Sequence, residues 1–178
     1  MPNYCSNKLI IFGEKEQLDS FISKHIKTKE YDMVYLDFDT IIPEPKTKEE
    51  CEKEYIIDNI DTVHINPKIN KPWFNWLTYH CNKWGTKWNS FDGILDRYRD
   101  KELQLYFETA WDPCVPIINK LIEMYPDLEF RYYYYEPGMQ LAGSIVSIVK
   151  VYKHHIVPPV DIHAFAINHG FEIKDEEN

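Results

Sequence analysis

The chain has 178 residues, 44% of them hydrophobic and 15% aromatic, which fits one folded domain with a substantial core and excludes a disordered segment. A formal net charge of −9 argues against non-specific binding to nucleic acid or to an anionic membrane surface, since both rely on excess lysine and arginine. Cys5, Cys51, Cys81 and Cys114 form no CxxC pair, and no stretch has signal-peptide character or membrane length. Reduced thiols in a cytoplasm are therefore expected, with no metal and no cofactor.

Taken in order, NKLIIFG at 7–13 is a short apolar strand closed by Gly13. Residues 14–27 place Leu18, Phe21, Ile22 and Ile26 on one helical face behind an acidic first turn. The alternation in MVYLDFDTII predicts a strand, with Leu36 and Phe38 facing one way and Asp37 and Asp39 the other. Pro43 and Pro45 end it and complete a first β-α-β unit. From 43 to about 101 the pattern is that of an insertion. Thr47 and Glu50 make a capping box for a charged helix to about Asn59, 61–72 is a Pro-punctuated loop, and a Trp-rich helix starts near Pro72. Charge and proline content make 43–72 the segment expected to move most.

A second unit begins at Glu102. Leu103, Leu105, Phe107, Thr109 and Trp111 alternate onto one strand face, and Asp112-Pro113 reads as the cap and first turn of a helix to Tyr125. LEFRYYYYE returns as a strand, Pro137-Gly138 suits a type II turn, and QLAGSIVSIVKVY follows as one long antiparallel strand. DIHAFAINHG is a short helix between Asp161 and Gly170, and 172–178 is a frayed acidic tail. Together, 1–178 reads as a single α+β domain: a ferredoxin-like sandwich with a mainly antiparallel sheet, two covering helices, the Trp-rich helical insertion at 43–101, and an extra C-terminal strand and helix. The strands at 7–13 and 103–111 should be central neighbours. The helices at 14–27 and 114–125 should share one face of the sheet.

Four segments in this order, MPNYCSN at the start, WGTKWNSFD at 84–92, FETAWDPCVPII at 107–118 and YYEPGMQLAG at 134–143, resemble the YubB ferredoxin-like domain family. The resemblance spans nearly the whole chain. It implies the same fold and a plasmid, phage or prophage setting, hence the cytoplasm of a bacterial host, and it supplies no reaction. Where the family pattern has Trp, Asp and Ser-Pro-Pro, this chain has Tyr4, Asn89 and Asp112-Pro113-Cys114. The aromatic framework is kept, whereas a carboxylate at 89 is not.

All five tryptophans lie between Trp73 and Trp111, which implies either a thick aromatic core or an aromatic-walled cleft. Lys87, between Trp84 and Trp88, sets an ammonium beside indole faces. Gly85 ends the Trp helix, so Thr86 to Trp88 can turn back toward the sheet, where Thr109 and Trp111 end one strand and Glu136 another. Trp84, Lys87, Trp88, Thr109, Trp111 and Glu136, with Tyr134 and Asn7, are the candidate ligand-binding residues; ordinary packing is the competing account of each.

Asp37 and Asp39 on one face have the pattern of a metal or acid/base pair, and equally of a solvent-facing strand. Arg131, Tyr133 and Tyr135 form either a stacking platform for bases or a helix-covered face. Cys114 sits where a thiolate is favoured, yet no His or Asn is placed by sequence to assist it. With HExxH, P-loop, GxGxxG and GxSxG patterns absent, no catalytic residue is assigned. Three readings follow. The first is a non-enzymatic binding protein of a mobile element, with a pocket for a nucleotide-like or other small planar ligand and a role in sequestering a host defence signal. The second is an acidic inhibitor of a basic host protein. The third is an enzyme of unknown reaction, placed last because no nucleophile, base and orienting group are legible together.

Overall fold

The computed structural model describes residues 3–29, 33–47, 50, 63–66, 71–74, 76–148 and 151–173. In chain order it begins with β1 (Tyr4–Phe12), α1 (Lys15–His25), β2 (Ile26–Thr28) and β3 (Val34–Leu36). Then come β4 (Val63–Asn66), β5 (Lys71–Phe74), α2 (Trp76–Lys83), β6 (Phe91–Arg99) and β7 (Glu102–Ala110). The chain finishes with α3 (Val115–Met124), β8 (Glu129–Glu136), β9 (Leu141–Ile148), β10 (Val151–Ile156) and α4 (Ile162–His169).

β1 lies between β7 and β8, antiparallel to both, with Leu9 opposite Leu105 on one side and Tyr132 on the other. Its alternation is the cause of its facing: Cys5, Asn7, Leu9 and Ile11 are buried, and the residues between them are only half-buried. Leu18 and Phe21 of α1 meet Ile117, Ile118 and Leu121 of α3 over Leu9, Ile11, Leu105 and Phe130 in one core. Both helices therefore cover the same face, as their apolar stripes require. The strand order β8-β1-β7-β6, with α1 and α3 as the crossovers, is the ferredoxin-like arrangement expected from the sequence.

The first half is completed by a different strand from the one expected. The strand read over 33–42 stops after Leu36. Asp37 leaves the ladder, its carboxylate accepts the Asp39 N–H, and Phe38–Thr40 form a 3₁₀ turn. β2 and β3 form a small hairpin at the sheet's far edge, and β6 pairs with β7 in the place the sequence had assigned to an insertion. β6 evades the alternation test for a physical reason. Its register on β7 shifts between Phe91 and Ile94 and again between Leu95 and Arg97, so apolar residues do not recur at every second position.

Within the inserted segment, the Thr47–Glu50 capping box is present, with the Glu50 N–H donating to Thr47 Oγ1 at 3.2 Å and the Thr47 N–H to Glu50 Oε2 at 3.0 Å. The charged helix expected beyond it, and most of the stretch expected to move, lie outside the described residues. β4 and β5 pair as an antiparallel ribbon where a loop was expected, so Trp73 is on a strand and the Trp-rich helix starts at Trp76 rather than Pro72. Asp112 is likewise not the cap of α3, which begins two residues later behind Cys114.

The C-terminal extension has two strands where one long strand was predicted, because the chain turns back between Ile148 and Val151. The turn before β9 is not type II: its positive φ falls at Gln140 (φ 55) and not at Gly138. α4, closed by Gly170 at φ 77, covers the face opposite α1 and α3. Tyr133 stacks on His169 with centroids 4.1 Å apart, and the Tyr135 hydroxyl lies 3.1 Å from His163 Nδ1. The tyrosine platform is thus helix-covered.

Candidate functional site

The geometry of the site starts at the end of α2. Gly85, at φ 80, donates its N–H to the His80 carbonyl, and a Cβ there would lie 2.6 Å from Pro116 Cδ. Only glycine lets the chain turn this tightly against the start of α3. Thr86 then reaches the sheet, its buried hydroxyl donating to the carbonyl of Ala110, the last residue of β7, at 2.8 Å. Trp111 leaves that strand at φ 70, and its N–H donates to the Asn3 carbonyl at 2.9 Å.

These two turns converge on Lys87. Its Nζ lies 4.7 Å from the Trp88 ring centre and 4.6 Å from that of Trp111, an ammonium held between two indoles. Trp111 is 36% exposed, so the cluster opens to solvent. Among the described residues no ion pair includes Lys87. The left-handed backbone is what aims Trp111 here, and in a bulky residue it is strained by roughly 1–3 kcal/mol. Trp111→Gly should therefore be more stable than Trp111→Ala by about 1 kcal/mol, because alanine keeps the strain and glycine relieves it. Denaturant midpoints compare the two, and an alanine variant as stable as the glycine one would show that the turn is unstrained.

The other predicted residues are elsewhere. Trp84 is core: it stacks on His80 at 3.8 Å, sets its edge on Phe38, and donates Nε1–H to the Ile42 carbonyl at 2.9 Å. Its place beside Lys87 is taken by Trp111. Asn7 and Thr109 are buried beneath the helices and bonded to each other at 2.9 Å. Trp111 does not share the face of Thr109, since the strand ends at Ala110. Glu136 is buried and accepts the N–H groups of Gly138 and Met139, which caps the turn before β9. Tyr134 lies across Gly143, where a Cβ would come 2.3 Å from its hydroxyl oxygen, and reaches His154 Nε2 at 3.3 Å. Of the eight predicted residues, only Lys87, Trp88 and Trp111 form a solvent-facing cluster.

One positioning residue was missed by the sequence reading. His80 Nδ1 lies 2.9 Å from the Lys87 carbonyl and Nε2 3.2 Å from Glu44 Oε1, so it ties the loop carrying Lys87 to residues just after the 3₁₀ turn. Its four-residue spacing from Trp84 was the available signal.

The alternative chemistries resolve into structural roles. Asp39 accepts from the Glu44 N–H and from Lys46 Nζ, both at 2.7 Å. Burial works to raise its carboxyl, but these bonds and the Lys46 charge outweigh it and hold the group below the usual range. Burial pushes the Cys114 thiol up to about 12, so it is not a thiolate at neutral pH; its Sγ is 3.6 Å from the Tyr132 hydroxyl. Among the described residues no three His, Cys, Asp or Glu side chains are grouped to hold a metal ion. Nor is any described helix long and apolar enough to cross a membrane.

No curated protein matches the chain. The crystal structure of a protein api92 from Yersinia pseudotuberculosis is similar to it with a TM-score of 0.50 at 13% identity, over 89% of this chain and 100% of that one. At that identity the likeness carries the fold alone. The sequence resemblance therefore holds at the level of a ferredoxin-like family, under a name other than YubB. Residues 83–157, which include Lys87, Trp88 and Trp111 and run through β10, match the family model described as the ferredoxin-like domain in Api92-like protein.

Proposed function

We propose that this chain is a non-enzymatic binding protein whose Lys87–Trp88–Trp111 cluster takes a small planar anion of nucleotide-like chemistry. The observation that supports this is a lysine with no carboxylate partner among the described residues, held between two indoles at the solvent edge of a protein of net charge −9. Elsewhere on such a surface an acid would be the ordinary neighbour of a lysine. The indoles fix the aliphatic stem and leave ammonium N–H groups free to donate. A flat ring stacked on the exposed part of Trp111 brings its phosphate or carboxylate within reach of Nζ. In the mobile-element setting that the sequence resemblance implies, the role that fits is sequestration of a host signalling molecule.

Titration calorimetry with nucleoside mono-, di- and triphosphates tests this reading. Lys87→Met should keep the fold and weaken binding about tenfold or more, which corresponds to loss of a contact worth about 1.4 kcal/mol. Trp111→Gly should do the same while easing the backbone. If no nucleotide of the panel binds, or if Lys87→Met binds as the parent does, the reading is wrong. Stoichiometric capture of a basic protein by the same surface would favour the inhibitor instead.

A further inference from the structure

Beyond β8 the sheet continues as an arm that the ferredoxin-like core does not require. β10 is the terminal strand of the eight-stranded sheet, and all six of its residues are exposed. The register decides which backbone groups face outward. The Val157 N–H donates to the Ala142 carbonyl, and this pair continues the register in which His155 faces Ser144 and Val151 faces Ile148. Bonded and non-bonded pairs alternate along an antiparallel ladder. Val151, Lys153 and His155 therefore bond inward to β9, and Tyr152, His154 and Ile156 turn their N–H and C=O groups away from it. Such an edge is a template for one more strand.

The side chains say which strand. On the face away from α3, Val146, Ile148 and Val151 floor an open concavity of ≈ 540 Å³ bounded by Lys153 and His155. Ile148 and Val151 are 42% and 54% exposed there. The sequence from 141 to 160 carries Lys150, Lys153, His154 and His155 and not one of the 29 acids of the chain. It is a basic, apolar arm on an acidic protein. At physiological salt, charges beyond about 8 Å are screened, so the local lysines outweigh the distant acids.

We infer that the β10 edge docks an extended segment of another protein in which acidic and apolar residues alternate, added to the sheet as a further strand. Its main chain pairs with residues 152, 154 and 156, its apolar side chains fill the concavity, and its carboxylates meet Lys153 and the histidines. A second copy of this chain fits less well, because pairing β10 with itself sets lysine and histidine against lysine and histidine.

The test uses the ¹⁵N-labelled full chain with an end-blocked peptide of alternating Glu and Val, and a counterpart with Lys for Glu. The acidic peptide should shift and protect the amides of Tyr152, His154 and Ile156, and bind at least about tenfold tighter than the basic one. His154→Pro removes an outward N–H without touching the β9 ladder and should abolish binding at unchanged melting temperature. If that variant does not fold, Lys153→Glu should still fold and reverse the preference between the two peptides. Failure of the acidic peptide to bind, equal binding of both, or binding that survives both substitutions overturns the inference. So does a concentration-dependent dimer in which the three edge amides are already protected.

Discussion

Replacing Asn7 with alanine should cost this domain about 3–5 kcal/mol, the range of a broken buried polar network and a large part of a typical total stability. Asn7 is 1% exposed, in the middle of the central strand. Its Nδ2 lies 2.7 Å from the Cys5 carbonyl, 3.2 Å from that of Phe107 and 2.9 Å from Thr109 Oγ1. Its Oδ1 accepts the Tyr132 hydroxyl. Thr109 passes its own proton to the Asp112 carbonyl at 2.8 Å, so the network joins β1, β7, β8 and the approach to α3 directly beneath Trp111. Alanine at position 7 leaves the Tyr132 hydroxyl and the Thr109 oxygen without partners where water does not reach, and each such group carries its full desolvation penalty. Tyr132→Phe orphans only Asn7 Oδ1 and should cost about 1–3 kcal/mol. The double variant should cost less than the two singles together, since the second removal no longer breaks a bond. Urea midpoints at constant m-value read all three, and an Asn7→Ala loss below about 1 kcal/mol would mean that the network does not hold the sheet.

This network also shows what the sequence could and could not reveal. Asn7, Thr109 and Glu136 were singled out because polar residues in apolar strands ask for an explanation, and sequence does not say which partner supplies it. The partners are 100 or more residues away for Asn7, and a backbone turn for Glu136. By contrast β1, α1, β7, α3 and β8 were legible, each carrying one clean apolar period bounded by glycine, proline or a change of period. β6 was not, because its two register shifts break the period. Lys87 was found between indoles for half of the right reason. Trp88 was correct as its neighbour, but helical spacing sends Trp84 into the core onto His80, and the second indole arrives through a left-handed Trp111 that no pattern announces.

Lowering the pH from 7 to 4 should remove roughly 3 kcal/mol of stability through His25 alone. The ring is fully buried between α1 and the end of α3, with Nδ1 2.7 Å from Thr40 Oγ1 and Nε2 2.7 Å from the Tyr125 hydroxyl. Thr40 donates its own proton to the Asp37 carbonyl at 2.6 Å, so its oxygen accepts from His25. Nδ1 therefore carries the hydrogen, and Nε2 is the lone pair that receives the tyrosine O–H. Protonation would put a second N–H against that hydroxyl in a buried setting. Burial first, and then the charges of Lys24 and Lys27, lower the pKa from 6.5 to about 4, with Asp37 opposing them weakly. The sign follows from which state binds the proton. Above pH 6.5 neither state does, and the stability is whole. Between 6.5 and 4 the unfolded chain takes the proton while the folded one refuses it, so stability falls by up to about 1.4 kcal/mol per pH unit. Below 4 both are protonated and the loss from this residue stops. Comparing urea midpoints from pH 7 to 4 for the parent and His25→Gln isolates the effect from the other titrating groups. The variant should show a shallower decline, and the His25 ring in the parent should keep the NMR signature of the Nδ1–H tautomer at pH 5. Parallel declines in the two proteins, or a ring already charged at pH 5, would show that the Thr40–His25–Tyr125 chain does not hold the imidazole neutral.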